Sequence, residues 1–361
     1  MAAPLSTSNS RPRRTLLWCA VALALSPLPG GWLVDHCPLQ HRDPEMAATV
    51  SAWQMNEPPP NVLLLGSSRL GSFLRTMEFA QTTQRVVGGS AVRIFNAALV
   101  CGEPNTIEFL TRNILAEKKA PPRLAIVEIS PDLLARDNTY FKFVITRQLV
   151  ASDLPEYLPD IVTSGGGISR LAASRLTPFF LHRAQLLDWA AETLGFASTE
   201  PAPSGTEAPV EGTRWQAVRD LLDHRKGAAP QRIEAGARRF RSHLRNYQLA
   251  GRTSAAFEHT VAMLHEAGAV IVLVQPPLST AQRALLTPEI KAQFAPFLQR
   301  LHSEYGCTFA DFSERVPDDL FLDNHHGSNA GSAVFSEMLA REVVGPAWTG
   351  RTMEVSQPPP E

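Results

Sequence analysis

Five short apolar segments, separated by longer stretches with helical periodicity, constrain the fold of this sequence more than any other feature. The segments are NVLLL (61–65), AVRIFNAAL (91–99), RLAIVEIS (123–130), AVIVLVQPP (269–277) and CTFADFS (307–313). Their length and aliphatic content are typical of buried strands. The stretches between them, such as EPNTIEFLTRNILAEKK (103–119), repeat apolar residues at helical spacing. This alternation predicts an α/β fold, a three-layer, doubly wound parallel sheet with helices on both faces.

The N-terminus predicts a membrane-targeting segment over residues 1–35. RPRR (11–14) precedes an uncharged run at 15–34, which is about as long as a spanning helix of roughly 20 residues. A signal anchor and a cleaved signal peptide both fit, and the lack of a small-x-small cleavage site favours the anchor. Basic residues stay on the cytoplasmic side, so we expect the main domain outside the cytoplasm, periplasmic or extracellular, and secreted if the segment is cleaved.

Composition divides the rest of the chain into three further parts. Residues 36–60 lack periodicity and end in three prolines, which predicts a spacer. Residues 61–345 are predicted to form the main domain, with a helical insertion at about 135–250 that contains the low-complexity stretch 198–213. Residues 346–361 predict a disordered tail.

The charge balance and the cysteine content argue against two classes of protein. Lys plus Arg (34) nearly equal Asp plus Glu (35), so no basic field predicts a nucleic-acid partner. The four cysteines, one of them inside the apolar run, imply no disulfide framework. The 44% hydrophobic content is enough for a sizeable core. No motif in the sequence implies a cofactor.

Two polar segments lie where strands of the predicted sheet end, the edge at which functional groups gather. Ser67 and Ser68 follow the first strand and open a predicted helix, so a serine here fits either a nucleophile or a helix N-cap. Asp323 and His326 precede the last helix, and in a helical turn they would face one cavity as a base and its partner. A polar turn is the alternative for that segment. A metal site at His325 and His326 is not predicted, because adjacent histidines point apart and no third ligand has a suitable spacing.

Considered together, these segments resemble the SGNH (GDSL-like) hydrolase superfamily. By that resemblance Ser68 is the nucleophile, His326 the general base and Asp323 its partner, on a sheet of flavodoxin-like strand order. Ser67 stands where the family has Asp, and the GSSR variant (66–69) resembles exported, membrane-linked members such as alginate O-acetyltransferase-like and teichoic acid D-alanine transfer proteins. The residues that match are Gly66-Ser67-Ser68, Asp323-Asn324-His325-His326 and Gly331.

A second block, NAALVCGEP (96–104), resembles the family's Asn-Leu-Gly-x-x-Gly-x-x-Pro, with alanine and cysteine at the two glycine positions. The resemblance implies that the Ala98 amide donates to an oxyanion beside the Ser68 amide. Asn96 is a further oxyanion or cleft candidate, and Arg69 is expected to make a surface or cleft ion pair. The family's third block, Gly-x-Asn-Asp, is absent after RLAIVEIS.

The resemblance implies acyl transfer through an acyl-enzyme. Our first expectation is an exported serine esterase or O-acyltransferase that acts on the acylated glycan of a cell-surface or secreted polysaccharide, with a membrane-bound O-acyltransferase as a partner. The alternative is a weakly active or inactive protein of the same fold that binds glycan or scaffolds an envelope complex. A general exported carboxylesterase is the third interpretation.

Overall fold

The computed structural model describes residues 14–19, 21, 27–88, 92–116, 120–136, 138, 140–177 and 229–351. The chain forms two compact units: unit 1 comprises Met1–Asp43 and Ile145–Thr199, and unit 2 comprises Pro44–Val144 and Glu200–Glu361. The low-complexity stretch 198–213 and residues 352–361 of the predicted tail lie outside the described residues.

Unit 2 is an α/β domain built on a parallel sheet, which has five strands within the described residues. The strands are β1 (Val62–Leu65), β2 (Ile94–Asn96), β3 (Leu124–Glu128), β4 (Val270–Gln275) and β5 (Thr308–Asp311). They lie in the order β2-β1-β3-β4-β5, and each neighbouring pair is parallel. Each strand falls within one of the five apolar segments of the sequence, and the strand order is the flavodoxin-like one.

Helices precede, connect and follow the strands in the described ranges. They are α1 (Pro27–His36), α2 (Leu39–Arg42), α3 (Pro44–Met55), α4 (Ser68–Ser72), α5 (Thr76–Val86), α6 (Pro104–Ala116), α7 (Phe141–Phe143), α8 (Leu154–Thr163), α9 (Gly167–Leu176), α10 (Ala229–His243), α11 (Arg252–Glu266), α12 (Thr280–Arg283), α13 (Pro288–Tyr305), α14 (Asn329–Leu339) and α15 (Gly345–Thr349). Short 3-10 or π turns lie at Val144–Gln148, Ala151–Asp153, Asp318–Leu320 and Ala340–Val344.

Both faces of the sheet are buried, which is what a parallel sheet requires. One face joins a core with helical residues that include Phe79 on α5 and Phe335 on α14. Alternate strand residues such as Leu63 and Val127 point the other way and are equally buried. On that side α11 packs on β4 and on α6. The strand residues of the first core are Val62, Leu64, Leu124, Ile126, Val272, Val274 and Ala310.

Unit 1 is helical in its described part. The side chain of Arg175 on α9 donates to the Gly31 carbonyl of α1 at 3.1 Å and pairs with Asp35 at 2.5 Å. The Arg42 guanidinium donates to the Gln148 carbonyl at 2.8 Å. These bonds join the N-terminal helices to the chain that follows Ile145. Among the described residues, we find no helix with the length and apolar content needed to cross a bilayer.

Residues 36–60 do not form the predicted spacer. Most of them lie in α2 and α3, and α3 buries Met46, Thr49 and Trp53. The Trp53 ring meets Phe95 of β2 edge to face, with ring centroids 5.3 Å apart. The buried positions repeat at three and four residues, which is helical spacing, and α3 packs on α6. Unit 2 therefore begins at Pro44 rather than at residue 61.

Two other predicted boundaries also differ from the structure. The helical insertion predicted at 135–250 is divided, because its part from Ile145 belongs to unit 1 and α10 belongs to unit 2. The predicted tail at 346–361 begins as the ordered helix α15. The Arg123 guanidinium lies 4.3 Å from the centroid of the Trp348 ring and donates to the Trp348 carbonyl. A cation–π contact of this kind stabilises the chain end against the domain.

We predict that Trp53→Ala destabilises unit 2, because it removes a fully buried ring from the α3 contact. The free energy of unfolding should fall by about 3 kcal/mol or more, measured by urea unfolding of the full chain. Met55 on the same helix is 63% exposed, so the matched control Met55→Ala should change it by less than about 0.5 kcal/mol. If both substitutions changed the free energy of unfolding by the same small amount, α3 would not be part of the core of unit 2.

Candidate functional site

The turn between β1 and α4 gives its two serines different roles. Ser67 is the N-cap of α4, and its hydroxyl accepts a hydrogen bond from the Arg69 amide at 3.2 Å. Ser68 is the first residue of the helix, and its Oγ lies 2.9 Å from Nε2 of His326, 258 residues away in the chain. The cap and the nucleophile predicted for this turn are thus two adjacent residues.

Asp323 holds the other side of the His326 ring. Nδ1 of His326 lies 2.9 Å and 3.0 Å from the two carboxylate oxygens of Asp323. The same carboxylate accepts the backbone N–H groups of His325 and His326. Burial alone would raise the pKa of Asp323, but the neighbouring imidazoles and these hydrogen bonds hold that pKa below its usual value. Asp323 is therefore a carboxylate at neutral pH, and it accepts the Nδ1 hydrogen.

The Asp-x-x-His segment is a closed loop and not the helical turn that we expected. Phe321 and Gly327 form an antiparallel bridge, and the Leu322 amide donates to the His326 carbonyl at 2.8 Å. Within this loop the Asp323 side chain takes the place of a helical backbone acceptor, because it bonds the amides two and three residues later. Asp323 and His326 still face each other, but through an Asx turn.

Hydrogen bonds between α4, the loop and α14 fix the separation of Ser68 and His326. The Ser72 hydroxyl at the end of α4 accepts from the Gly327 amide at 3.3 Å, and the Ser332 hydroxyl of α14 donates to the Ser72 carbonyl at 2.7 Å. The Phe73 ring packs so closely on Gly327 that a Cβ there would lie 2.5 Å from it. Phe73 also meets Phe321 edge to face, at 5.2 Å between ring centroids. The loop is thereby held against the helix that carries Ser68.

Glu128, at the end of β3, fixes Ser67, the residue before Ser68. Its carboxylate accepts the Ser67 amide at 2.6 Å and the Ser67 hydroxyl at 3.0 Å. A Cβ on Gly66 would lie 2.6 Å from the same carboxylate, so only glycine fits there. Burial raises the pKa of Glu128, and the nearby Arg69 opposes that rise. The hydrogen bonds of Glu128 go to Ser67 and not to Ser68, so this carboxylate positions the turn.

Arg69 makes an ion pair, as expected, but the pair is buried inside the domain rather than at the surface or in a cleft. Arg69 is 3% exposed, and its guanidinium bonds both carboxylate oxygens of Asp132, at 3.1 Å and 2.5 Å. Burial lowers the pKa of a guanidinium, but Asp132 and Glu128 outweigh this, so the pKa of Arg69 is raised. The Phe240 ring of α10 covers the group, with its centroid 5.7 Å away. Arg69 therefore anchors the chain directly after Ser68 inside the domain.

The Ala98 amide is not directed to an oxyanion in this geometry. It donates to the Asn96 side-chain oxygen at 3.1 Å, and both residues are buried. The next amide, that of Leu99, donates to the Gly66 carbonyl at 2.9 Å. Cys101, at the second family glycine position, has a positive φ of 57°, a conformation that strains residues other than glycine. The predicted second oxyanion donor is thus engaged within its own loop.

The two adjacent histidines do not point apart, contrary to our expectation. Their ring centroids lie 4.1 Å apart, and ligand atoms of Asp323, His325 and His326 all lie within 4.8 Å of one another. Both ring nitrogens of His326 already face Ser68 and Asp323. A metal bound here would have to displace one of those contacts. Burial lowers the pKa of His325 well below its usual value, so this imidazole is neutral.

Helix α10, for which the sequence predicted no link with the site, packs on the back of the Asp-x-x-His loop. The Arg232 side chain donates to the Leu322 carbonyl at 2.8 Å, and Gly236 lies against the Asn324 side chain. Phe240 meets His325 edge to face at 5.0 Å. The signal was the helical spacing of the apolar residues Ile233, Ala237, Phe240 and Leu244.

A small cavity of about 10 Å³, roughly the space that one water molecule needs, lies behind the β1–α4 turn. Glu103 and Glu128 both line it, together with Ser67 and Gly102. Burial raises the pKa of Glu103 to about 7, although hydrogen bonds from Asn105 and Thr106 oppose the rise. The carboxyl of Glu103 therefore changes charge near neutral pH inside the domain.

Comparisons with known proteins do not identify a family for this chain. No protein-family model matches the chain, and no match is found among curated proteins. Interpretation of the site thus depends on its geometry and on the sequence motifs.

The Glu103 pKa predicts a pH-dependent stability. The pKa is about 7 in the folded protein against a usual 4.5, so the stability that it contributes is complete below pH 4.5 and is lost as pH rises through 7. From about pH 5 to pH 8, the free energy of unfolding of the full chain, measured in urea, should fall by about 2.5 kcal/mol more for the wild type than for Glu103→Gln.

The matched control for this prediction is Glu304→Gln, which neutralises an exposed carboxylate. Its free energy of unfolding should fall with pH as steeply as that of the wild type. Parallel pH profiles for the wild type and Glu103→Gln would contradict the assignment of the raised pKa.

Proposed function

We propose that this protein is a serine acyl-transfer enzyme with an SGNH hydrolase-like fold. The observation that supports it best is the continuous chain of contacts from Ser68 through His326 to Asp323, with 2.9 Å at each step. The strand order β2-β1-β3-β4-β5 supports the fold assignment, since it places β1 and its serine turn between β2 and β3, where the strand order reverses.

The geometry supports a proton path that begins at the Ser68 hydroxyl. Because Asp323 accepts the Nδ1 hydrogen of His326, the Nε2 lone pair faces Ser68 and accepts its proton as Oγ attacks an ester carbonyl. His326 then donates that proton to the departing alcohol, which leaves an acyl-enzyme on Ser68. A second hydroxyl, from water or from a sugar, loses its proton to His326 and attacks the acyl group. Release of the product restores the Ser68 hydroxyl.

The start of α4 supports charge stabilisation in this mechanism. Ser68 is the first residue of the helix, and first-turn amides have no acceptor within their own helix. The Ser68 amide would therefore donate to the oxyanion, aided by the helix dipole. Ser67, held by Glu128 and by its own capping bond, limits the motion of that turn.

The substrate class that we propose comes from the sequence motifs. The basic cluster and the uncharged run at the N-terminus support an exported, membrane-linked protein. The GSSR variant supports acyl esters on a cell-surface or secreted polysaccharide as substrates. A membrane-bound O-acyltransferase is the partner proposed on the same resemblance, as the source of the acyl group when a sugar is the acceptor.

A second candidate is a glycan-binding or scaffold protein with the same fold and little or no catalysis. The engagement of the Ala98 amide with Asn96 favours it, because loss of one oxyanion donor typically lowers turnover by about 100-fold or more. A general carboxylesterase would differ from the first candidate only in its acceptance of small, unbranched esters.

We predict that Ser68→Ala abolishes reaction of the full chain with a fluorophosphonate probe and lowers hydrolysis of a chromogenic acetyl ester by at least about 1,000-fold. The matched control is Ser67→Ala, which removes the neighbouring hydroxyl and its cap bond. It should cost about 1 kcal/mol of stability and retain labelling at Ser68.

Two outcomes decide between the candidates. Labelling of Ser67, or turnover that persists in Ser68→Ala, would contradict the proposed nucleophile. A wild-type protein that folds but neither reacts with the probe nor turns over acyl esters would favour the scaffold candidate.

A further inference from the structure

Unit 1 contains helices that the proposed chemistry does not use. Helix α9 packs on α1, and the bonds from Arg175 to Gly31 and Asp35 join them. The Ala151 amide, just before α8, also donates to Asp35 at 2.9 Å. The pair α8 and α9, which we call the unit 1 hairpin, is therefore fastened to the C-terminal part of the uncharged N-terminal run.

Helix α8 has three distinct faces. One face is buried and contains Tyr157 and Ile161. A second face carries the polar residues Glu156, Asp160 and Thr163. At about 100° per residue, the third face lies next to the buried one and contains the exposed apolar residues Pro155, Leu158, Pro159 and Val162.

We call this third face the apolar stripe, and its aliphatic side chains are exposed. Leu158 and Val162 are 47% and 53% exposed and lie four residues apart on one side of α8. Ile168, at the start of α9, is 58% exposed, and Trp32 on α1 is 61% exposed. Adjacent exposed apolar side chains, as at Leu158 and Val162, mark a surface suited to another apolar phase.

We propose that the apolar stripe of the unit 1 hairpin lies on the lipid bilayer surface beside the N-terminal segment. The hairpin packs on α1, and α1 contains the last residues of the run 15–34 that follows RPRR. Helices in contact have axes about 10 Å apart, and surface helices bury their apolar face by roughly 5 to 10 Å in the headgroup region. A hairpin held to such a segment is within reach of that region.

The distribution of charge on α8 fits this occupant. Glu156 and Asp160 lie on the polar face, so their carboxylates remain in water while the stripe meets lipid. Tryptophan, as at the exposed position 32, is enriched where a helix leaves the hydrocarbon core. Residues 145–177 of the insertion thus have a role in membrane docking. This role is independent of the chemistry at Ser68.

The test uses the full chain reconstituted into phosphatidylcholine and phosphatidylglycerol vesicles. A phosphatidylcholine with a diazirine in its acyl chain is activated by light, and the labelled peptides are mapped by mass spectrometry. We expect label on the α8 peptide that contains Leu158 and Val162. The double substitution Leu158→Glu and Val162→Glu should reduce this label by at least about tenfold, because charged side chains avoid the hydrocarbon region.

The matched control is Val334→Glu, which places a charge at a 41% exposed valine of α14 in unit 2. It should leave labelling of α8 unchanged. Thermal unfolding should be the same for all variants, since the substituted side chains are exposed.

The proposal is overturned if the α8 peptide of the wild type carries no label, whether or not the N-terminal run is labelled. It is also overturned if the double substitution leaves the label unchanged. Cross-linking of the stripe to a second copy or to another protein, without lipid label, would identify a protein interface instead. Because labelling needs no turnover, these outcomes are distinct from failure of the acyl-transfer chemistry.

Discussion

The two hydrogen bonds from Ser67 to the Glu128 carboxylate connect the sheet to the site. β1 and β3 are parallel neighbours, so their carboxyl ends meet at one edge and Glu128 reaches the turn after β1. Arg69, on the other side of Ser68, is held by Asp132, four residues after Glu128. Both neighbours of Ser68 are thus fixed by residues at the end of β3 and just after it. The buried charges can do this because each is paired, which offsets the cost of burial.

The second half of the site is held by different means. The Asp-x-x-His loop closes on itself through the Phe321–Gly327 bridge, and serines of α14 bond the end of α4. α10 then covers the loop from behind, through Arg232 and Phe240. The separation of 2.9 Å between Ser68 and His326 therefore follows from packing of three segments that are distant in sequence: α4, α10, and the loop with α14. Preorganisation of this kind is what general base catalysis requires.

Much of the architecture could be predicted from local patterns. Five apolar segments became five strands because uninterrupted aliphatic runs bury both faces of a parallel sheet. The residues predicted for the nucleophile and its base lie where the pattern put them, after β1 and before α14. The helix Pro44–Met55 is the main exception. Three prolines after it predict a spacer, whereas the helical spacing of Met46, Thr49 and Trp53 reflects their burial.

The sequence by itself determined the strand segments and the two polar turns, because each depends on residues near in the chain. Only the tertiary structure decided which polar groups are already engaged. Arg69 is buried against Asp132, the Ala98 amide donates to Asn96, and Asp323 and His326 meet through an Asx turn. The physical reason is that hydrogen-bond partners and burial depend on the packing of distant segments, which local periodicity does not contain.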